Sequence, residues 1–207
     1  MGKPPKPKEP WEIREPSPRG DPNPNLLFES IGRALTEWET VEGACAELFA
    51  LFVLAPKRKP LRAPAVRAYG AVVSYQGRCA MIRAASDAYF QTRKDKKSAF
   101  QAKLKELIDR CLDYSNRRNE LAHGRVCVLY GYPVRKDTGK GKEIGYYLFP
   151  SFLNPKKYGL DMEVTYRYTS SDVIHYQHEF TKLFLRLHAL RSQLNRHAPQ
   201  ALREKHG

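Results

Sequence analysis

Cysteines are few and badly spaced for chemistry. Cys45, Cys79, Cys111 and Cys127 lie 34, 32 and 16 residues apart, with no C-x2-C pair. That spacing argues against a zinc ribbon and a disulfide framework and reads as buried thiols in a reducing compartment. Long apolar runs are also missing. The longest, from Ala44 to Ala55, is too short to span a bilayer and is interrupted by Glu47. The basic N-terminus has no apolar segment of signal-peptide type, and Lys6 stands where a myristoylation signal needs Ser or Thr. These absences predict a cytoplasmic protein with no membrane partner. There is no G-x4-G-K-[ST] loop, no H-E-x-x-H, no dinucleotide fingerprint and no nucleophile elbow. No cofactor is expected. His175, His178 and Glu179 share about one helical turn but have no evident third ligand, and no metal is expected.

Acids are scarce. The 207 residues hold 36 Lys and Arg against 22 Asp and Glu, a formal charge of +14. A balance this basic favours a polyanionic partner, above all nucleic acid. The length supports one domain with extensions. Residues 1–25 carry eight of the fifteen prolines, and their five cationic side chains nearly cancel four acids. They read as a disordered, Pro-rich leader, in which Trp11 and Ile13 either dock on the domain or anchor a partner. The positive charge therefore belongs to the folded part.

Hydrophobic periodicity predicts four long helices. The first covers about 26–54, with Leu27, Ile31, Leu35, Trp38, Val41, Cys45, Leu48, Phe49 and Phe52 on its stripe. The second covers about 64–90, the third 98–123 with Ser98 as N-cap, and the last about 172–195, capped by Ser170 or Ser171. Between the third and fourth, Val126–Tyr130 and Gly145–Phe149 flank a Lys-Gly-rich turn, and 163–168 alternates as a third strand. The fold expected is mainly α: an up-and-down four-helix bundle over 26–195, with a small β-hairpin or three-strand insert at about 125–168 and a polar tail at 196–207. The links 55–63 and 91–97 are too long and too rich in Lys or Pro for a helix-turn-helix.

The third helix ends Arg118-Asn119-Glu120-Leu121-Ala122-His123-Gly124. Read at spacings of three and four, Leu104, Leu107, Ile108, Cys111, Ser115, Arg118 and Ala122 form one stripe, which carries Arg118 onto the core face. A guanidinium there requires a carboxylate, a phosphate or a subunit interface. His123 falls in the last turn and Gly124 at the C′ position. Arg118 either pairs with Glu42 or Glu39 on the first helix, leaving His123 as a helix cap, or binds a phosphodiester.

Arg118 to His123 resembles the R-x(4–6)-H motif of the HEPN superfamily, including a polar residue, Asn119, after the arginine. Arg117 offers an alternative register. The resemblance implies an all-α bundle that dimerises with its two motifs facing each other. It also implies a metal-independent endoribonuclease, often of toxin–antitoxin or phage-defence systems, with RNA as substrate and an antitoxin or other protein as partner. Arg118, Asn119 and His123 are then the catalytic candidates. Arg117, Arg125, Lys136, Lys140 and Lys142 are the candidate nucleic-acid contacts. Gly124-Arg125 after the histidine departs from the x-Tyr of the subclass regulated by a nucleotidyltransferase. The alternative is a non-catalytic HEPN-like module that binds RNA or a protein. The tyrosines at 130, 132, 146, 147, 166 and 168 stack bases or, more commonly, pack on the bundle.

Overall fold

The computed structural model describes residues 9–54, 62–91, 97–131, 142–153 and 164–197. The polar tail beyond His197, the basic loop 57–59, Lys136 and Lys140 lie outside them. The order is α1 (Pro24–Val53), α2 (Arg62–Gly70), α3 (Tyr75–Gln91), α4 (Lys97–His123), β1 (Arg125–Gly131), β2 (Lys142–Phe149) and α5 (Ser170–His197). The protein is mainly helical with one small antiparallel sheet. No helix among the described residues is long and apolar enough to cross a membrane.

The chain divides into two compact units. Unit 1 takes residues up to Thr36 and Asn116–Glu179; unit 2 takes Glu37–Ser115 and the chain from Phe180. Helices α1, α4 and α5 each supply residues to both.

Unit 2 is helical. Trp38, Val41, Cys45 and Leu48 of α1, Ile82 of α3, Ile108 and Cys111 of α4 and Phe180 and Leu187 of α5 form its interior. The Phe180 ring meets Trp38 and Tyr114 edge-on, at centroid distances of 5.1 and 5.8 Å, a favoured aromatic geometry. The single helix expected over 64–90 is two helices. The chain breaks at Ala71–Ser74, where Val72 and Val73 follow Gly70. Ser74 Oγ accepts from the Gly77 amide at 3.0 Å and so caps α3. Arg78 donates to the carbonyls of Val72 (2.8 Å) and Gly70 (3.2 Å) at the end of α2. The guanidinium that holds this break also pairs with Glu42, which accepts from Trp38 Nε1 as well.

Unit 1 holds the sheet. β1 and β2 pair with Arg125 opposite Phe149 at one end and Gly131 opposite Lys142 at the other. The expected third strand is reduced to a bridge: Tyr168 and Leu148 exchange backbone hydrogen bonds of 2.8 and 3.0 Å. A second bridge joins Asp21 to Tyr146. Both sit on β2, so its side away from β1 is covered at two points, which blunts an open edge.

From Glu9 onward the Pro-rich segment read as a disordered leader is tied to unit 1. Tyr176 Oη donates to the Glu12 carbonyl (3.0 Å), and Asp21 accepts from the amide and hydroxyl of Ser170 at 2.7 and 2.6 Å. A carboxylate at a helix N-terminus is favoured by the peptide dipoles. Gly20 and Gly145 allow the approach: a Cβ on either would lie 2.6 Å from the other's backbone, and Gly145 has φ +130°. The segment turns at Glu9–Glu12, and these polar anchors hold it.

The helix starts are explicit in unit 1. Asn23 Oδ1 accepts from the Asn25 amide at 2.9 Å, with Pro24 first in α1. Thr169, rather than Ser170 or Ser171, caps α5: Asp172, three residues on, reaches back to the Thr169 amide (2.9 Å) and hydroxyl (2.8 Å).

Candidate functional site

The last two turns of α4 lie in unit 1 and are sharply divided. Arg117, Glu120 and Leu121 are buried, whereas Asn119, Ala122 and His123 are exposed and Arg118 is half-buried. The buried stripe therefore runs Leu104, Leu107, Ile108, Cys111, Tyr114, Arg117 and Leu121. It departs from the expected Ser115–Arg118–Ala122 line because Tyr114, a larger apolar group than Ser115, takes the inner position. Arg117, not Arg118, is the arginine carried inward.

Arg117 is 9% exposed and Glu120 5%, so their charges must be matched locally. Arg117 Nη1 lies 3.0 Å from Glu120 Oε2 and donates to Tyr168 Oη at 3.0 Å. Tyr168 Oη donates in turn to Glu120 Oε2 at 2.7 Å. Burial, followed by the adjacent Glu120 carboxylate, pushes the Tyr168 phenol well above its ordinary value, which keeps it protonated as that donor. Tyr166 stacks on Tyr168 with centroids 4.7 Å apart, and its hydroxyl donates to the Glu120 carbonyl at 3.3 Å. The tyrosine pair belongs to this packed network and not to a free surface. Arg117 faces the interior of unit 1, away from the position expected of a nucleic-acid contact.

On the outer face, Arg118 Nη1 donates to Asn119 Oδ1 at 3.2 Å. Its Nε is buried and has no partner among the described residues. Glu42, one of the two acids expected to pair with it, is engaged by Arg78 and Trp38 in unit 2. His123 is exposed at the end of α4. Gly124 turns the chain directly into β1. Its φ is not left-handed; glycine is needed because a Cβ would come within 2.6 Å of Leu148 Cδ1 and 2.7 Å of the Glu120 carbonyl.

The outlying cations divide. Arg125 is exposed and opens β1 just after His123; Lys142 is exposed at the opposite end of the hairpin. Six residue steps along β1, from Arg125 to Gly131 opposite Lys142, separate those ends by about 20 Å. Lys136 and Lys140 lie outside the described residues. His175 Nε2 lies 3.2 Å from the Pro10 carbonyl, and no group of His, Cys, Asp and Glu among the described residues could hold a metal. The thiols are all free. Cys45 and Cys111 lie with sulfurs 4.0 Å apart inside unit 2.

Sequence reading missed Glu120 and Tyr168 as the partners of the inward arginine. The i, i+3 spacing of Arg117 and Glu120 was a visible signal; Tyr168, 51 residues from Arg117, had none. No protein-family model, curated protein or solved structure matches the chain.

Proposed function

We propose that the chain is a metal-independent endoribonuclease of HEPN type, acting on RNA as a homodimer. One observation carries the reading: Arg118, Asn119 and His123 share the open face of α4, while Arg117 and Glu120 pin the opposite face. The +14 formal charge supports a polyanionic substrate.

Cleavage would proceed by attack of the RNA's own 2′-oxygen on phosphorus. A base removes the 2′-hydroxyl proton, the new O–P bond forms, and the bond to the 5′-oxygen breaks as an acid protonates it. The products are a 2′,3′-cyclic phosphate and a 5′-hydroxyl. His123, exposed at the end of α4, serves as acid. Arg118 holds the non-bridging oxygens with its planar fork, and Asn119 orients the phosphate or the guanidinium. A two-fold dimer supplies a second imidazole as base.

The test is incubation of the whole protein with total RNA and a chelator. Cyclic-phosphate ends, lost in both His123→Ala and Arg118→Ala, are expected. Unchanged cleavage in either variant overturns the proposal. RNA binding without cleavage by the parent favours the non-catalytic module instead.

A further inference from the structure

Arg125 and Phe152 stand against one another on unit 1. The Arg125 guanidinium carbon lies 4.9 Å from the centroid of the Phe152 ring. That ring is 60% exposed, and Leu153 beside it is 79% exposed. Among the described residues no carboxylate pairs with Arg125 and no other ring contacts Phe152. An exposed cation–π pair adds little to stability, and a phenyl ring held in water is unfavourable. Core packing therefore does not account for the placement. Location does: Arg125 follows His123 by two residues, through the tight turn at Gly124.

We infer that Arg125 and Phe152 form a stacking platform for one unpaired nucleobase of single-stranded RNA, beside the Arg118–His123 face. The inference rests on the proposed ribonuclease reading and deepens it by naming the substrate class. A base lies on the open part of the phenyl ring, and the Arg125 fork takes the adjoining phosphate. Bases in a duplex are already stacked and paired, so the platform selects single strands, loops and ends. Lys142, about 20 Å away along the hairpin, belongs to a different part of the strand's path.

The experiment is fluorescence anisotropy with 2′-O-methyl oligonucleotides, which lack the attacking hydroxyl and cannot be cleaved. Phe152→Ala should weaken single-strand binding about five- to a hundredfold. Phe152→Tyr should bind like the parent, and affinity for a duplex of the same sequence should be unchanged in both. An unchanged midpoint of thermal unfolding in Phe152→Ala excludes a folding defect, as expected for an exposed ring. If the parent binds single strands and Phe152→Ala binds equally well, the platform is overturned and the ribonuclease reading stands. If the parent binds no RNA, both fall.

Discussion

Arg117 Nη1 and Glu120 Oε2 meet at 3.0 Å on the inner face of α4, and Tyr168 closes the pair from another part of unit 1. This buried pair sets the rotation of the helix end. Because position 117 faces inward, positions 118, 119, 122 and 123 face outward, at 100° per residue.

Breaking that pair should be costly. Glu120→Ala leaves a guanidinium buried and uncompensated, and a loss of about 3–5 kcal/mol is expected. Urea unfolding measures it. Tyr168→Phe should cost less, about 1–3 kcal/mol, since the ion pair survives. A Glu120→Ala variant as stable as the parent would contradict the network's structural role.

The glycine contact that docks the Pro-rich segment makes a separate prediction. Gly145→Ala forces a side chain onto φ +130° and toward the Gly20 backbone. The backbone strain alone is about 1–3 kcal/mol. Limited proteolysis should cut residues 9–23 faster in the variant. Equal cutting rates would mean that the segment is held independently of this approach.

Alkali should weaken the fold. Burial, and then the neighbouring Cys45, push the Cys79 thiol from 9.0 up to about 12. Above pH 9 the unfolded chain gives up this proton while the folded chain keeps it, so folding binds more protons and stability falls as pH rises. Burial raises the Tyr75 and Tyr168 phenols as well, with the same sign. Urea midpoints should fall progressively from pH 9 to 12, and Cys79→Ala should show a shallower decline. A flat profile would contradict the burial of these groups.

The outer face predicts the opposite kind of variant. Arg118→Ala and His123→Ala change half-buried and exposed positions and should shift stability by no more than about 0.5 kcal/mol. Cleavage should fall at least a hundredfold in each, and Arg118→Lys should not restore it, because an ammonium lacks the planar fork. A large loss of stability in either variant would assign these residues to packing. Full activity in Arg118→Lys would remove the bidentate role.

Much was legible in the residues. The stripes of Leu, Val and aromatic side chains mark α1, α4 and α5 because burial repeats every three or four positions. The two β-prone runs flanking a Lys-Gly turn mark the hairpin. Less visible was the break between α2 and α3. Periodicity runs through Ala71–Ser74, and the interruption is held by the Ser74 cap of α3 and by the Arg78 guanidinium, which grips the carbonyls of Gly70 and Val72 and pairs with Glu42 of α1.

Composition and pattern by themselves determined a mainly helical, strongly basic chain with one hairpin and no membrane-spanning helix in its described part. Tertiary structure alone decided which of two adjacent arginines points inward. Positions 117 and 118 both border the apolar stripe, and the i, i+3 spacing of Arg117 and Glu120 is a local signal that does not by itself choose between them. The choice fell to Tyr114, packed inward one turn before, and to Tyr168, far along the chain, whose hydroxyl completes the buried Arg117–Glu120 pair. Contacts between distant residues carry no periodic signature, so their outcome appears only when the chain is folded.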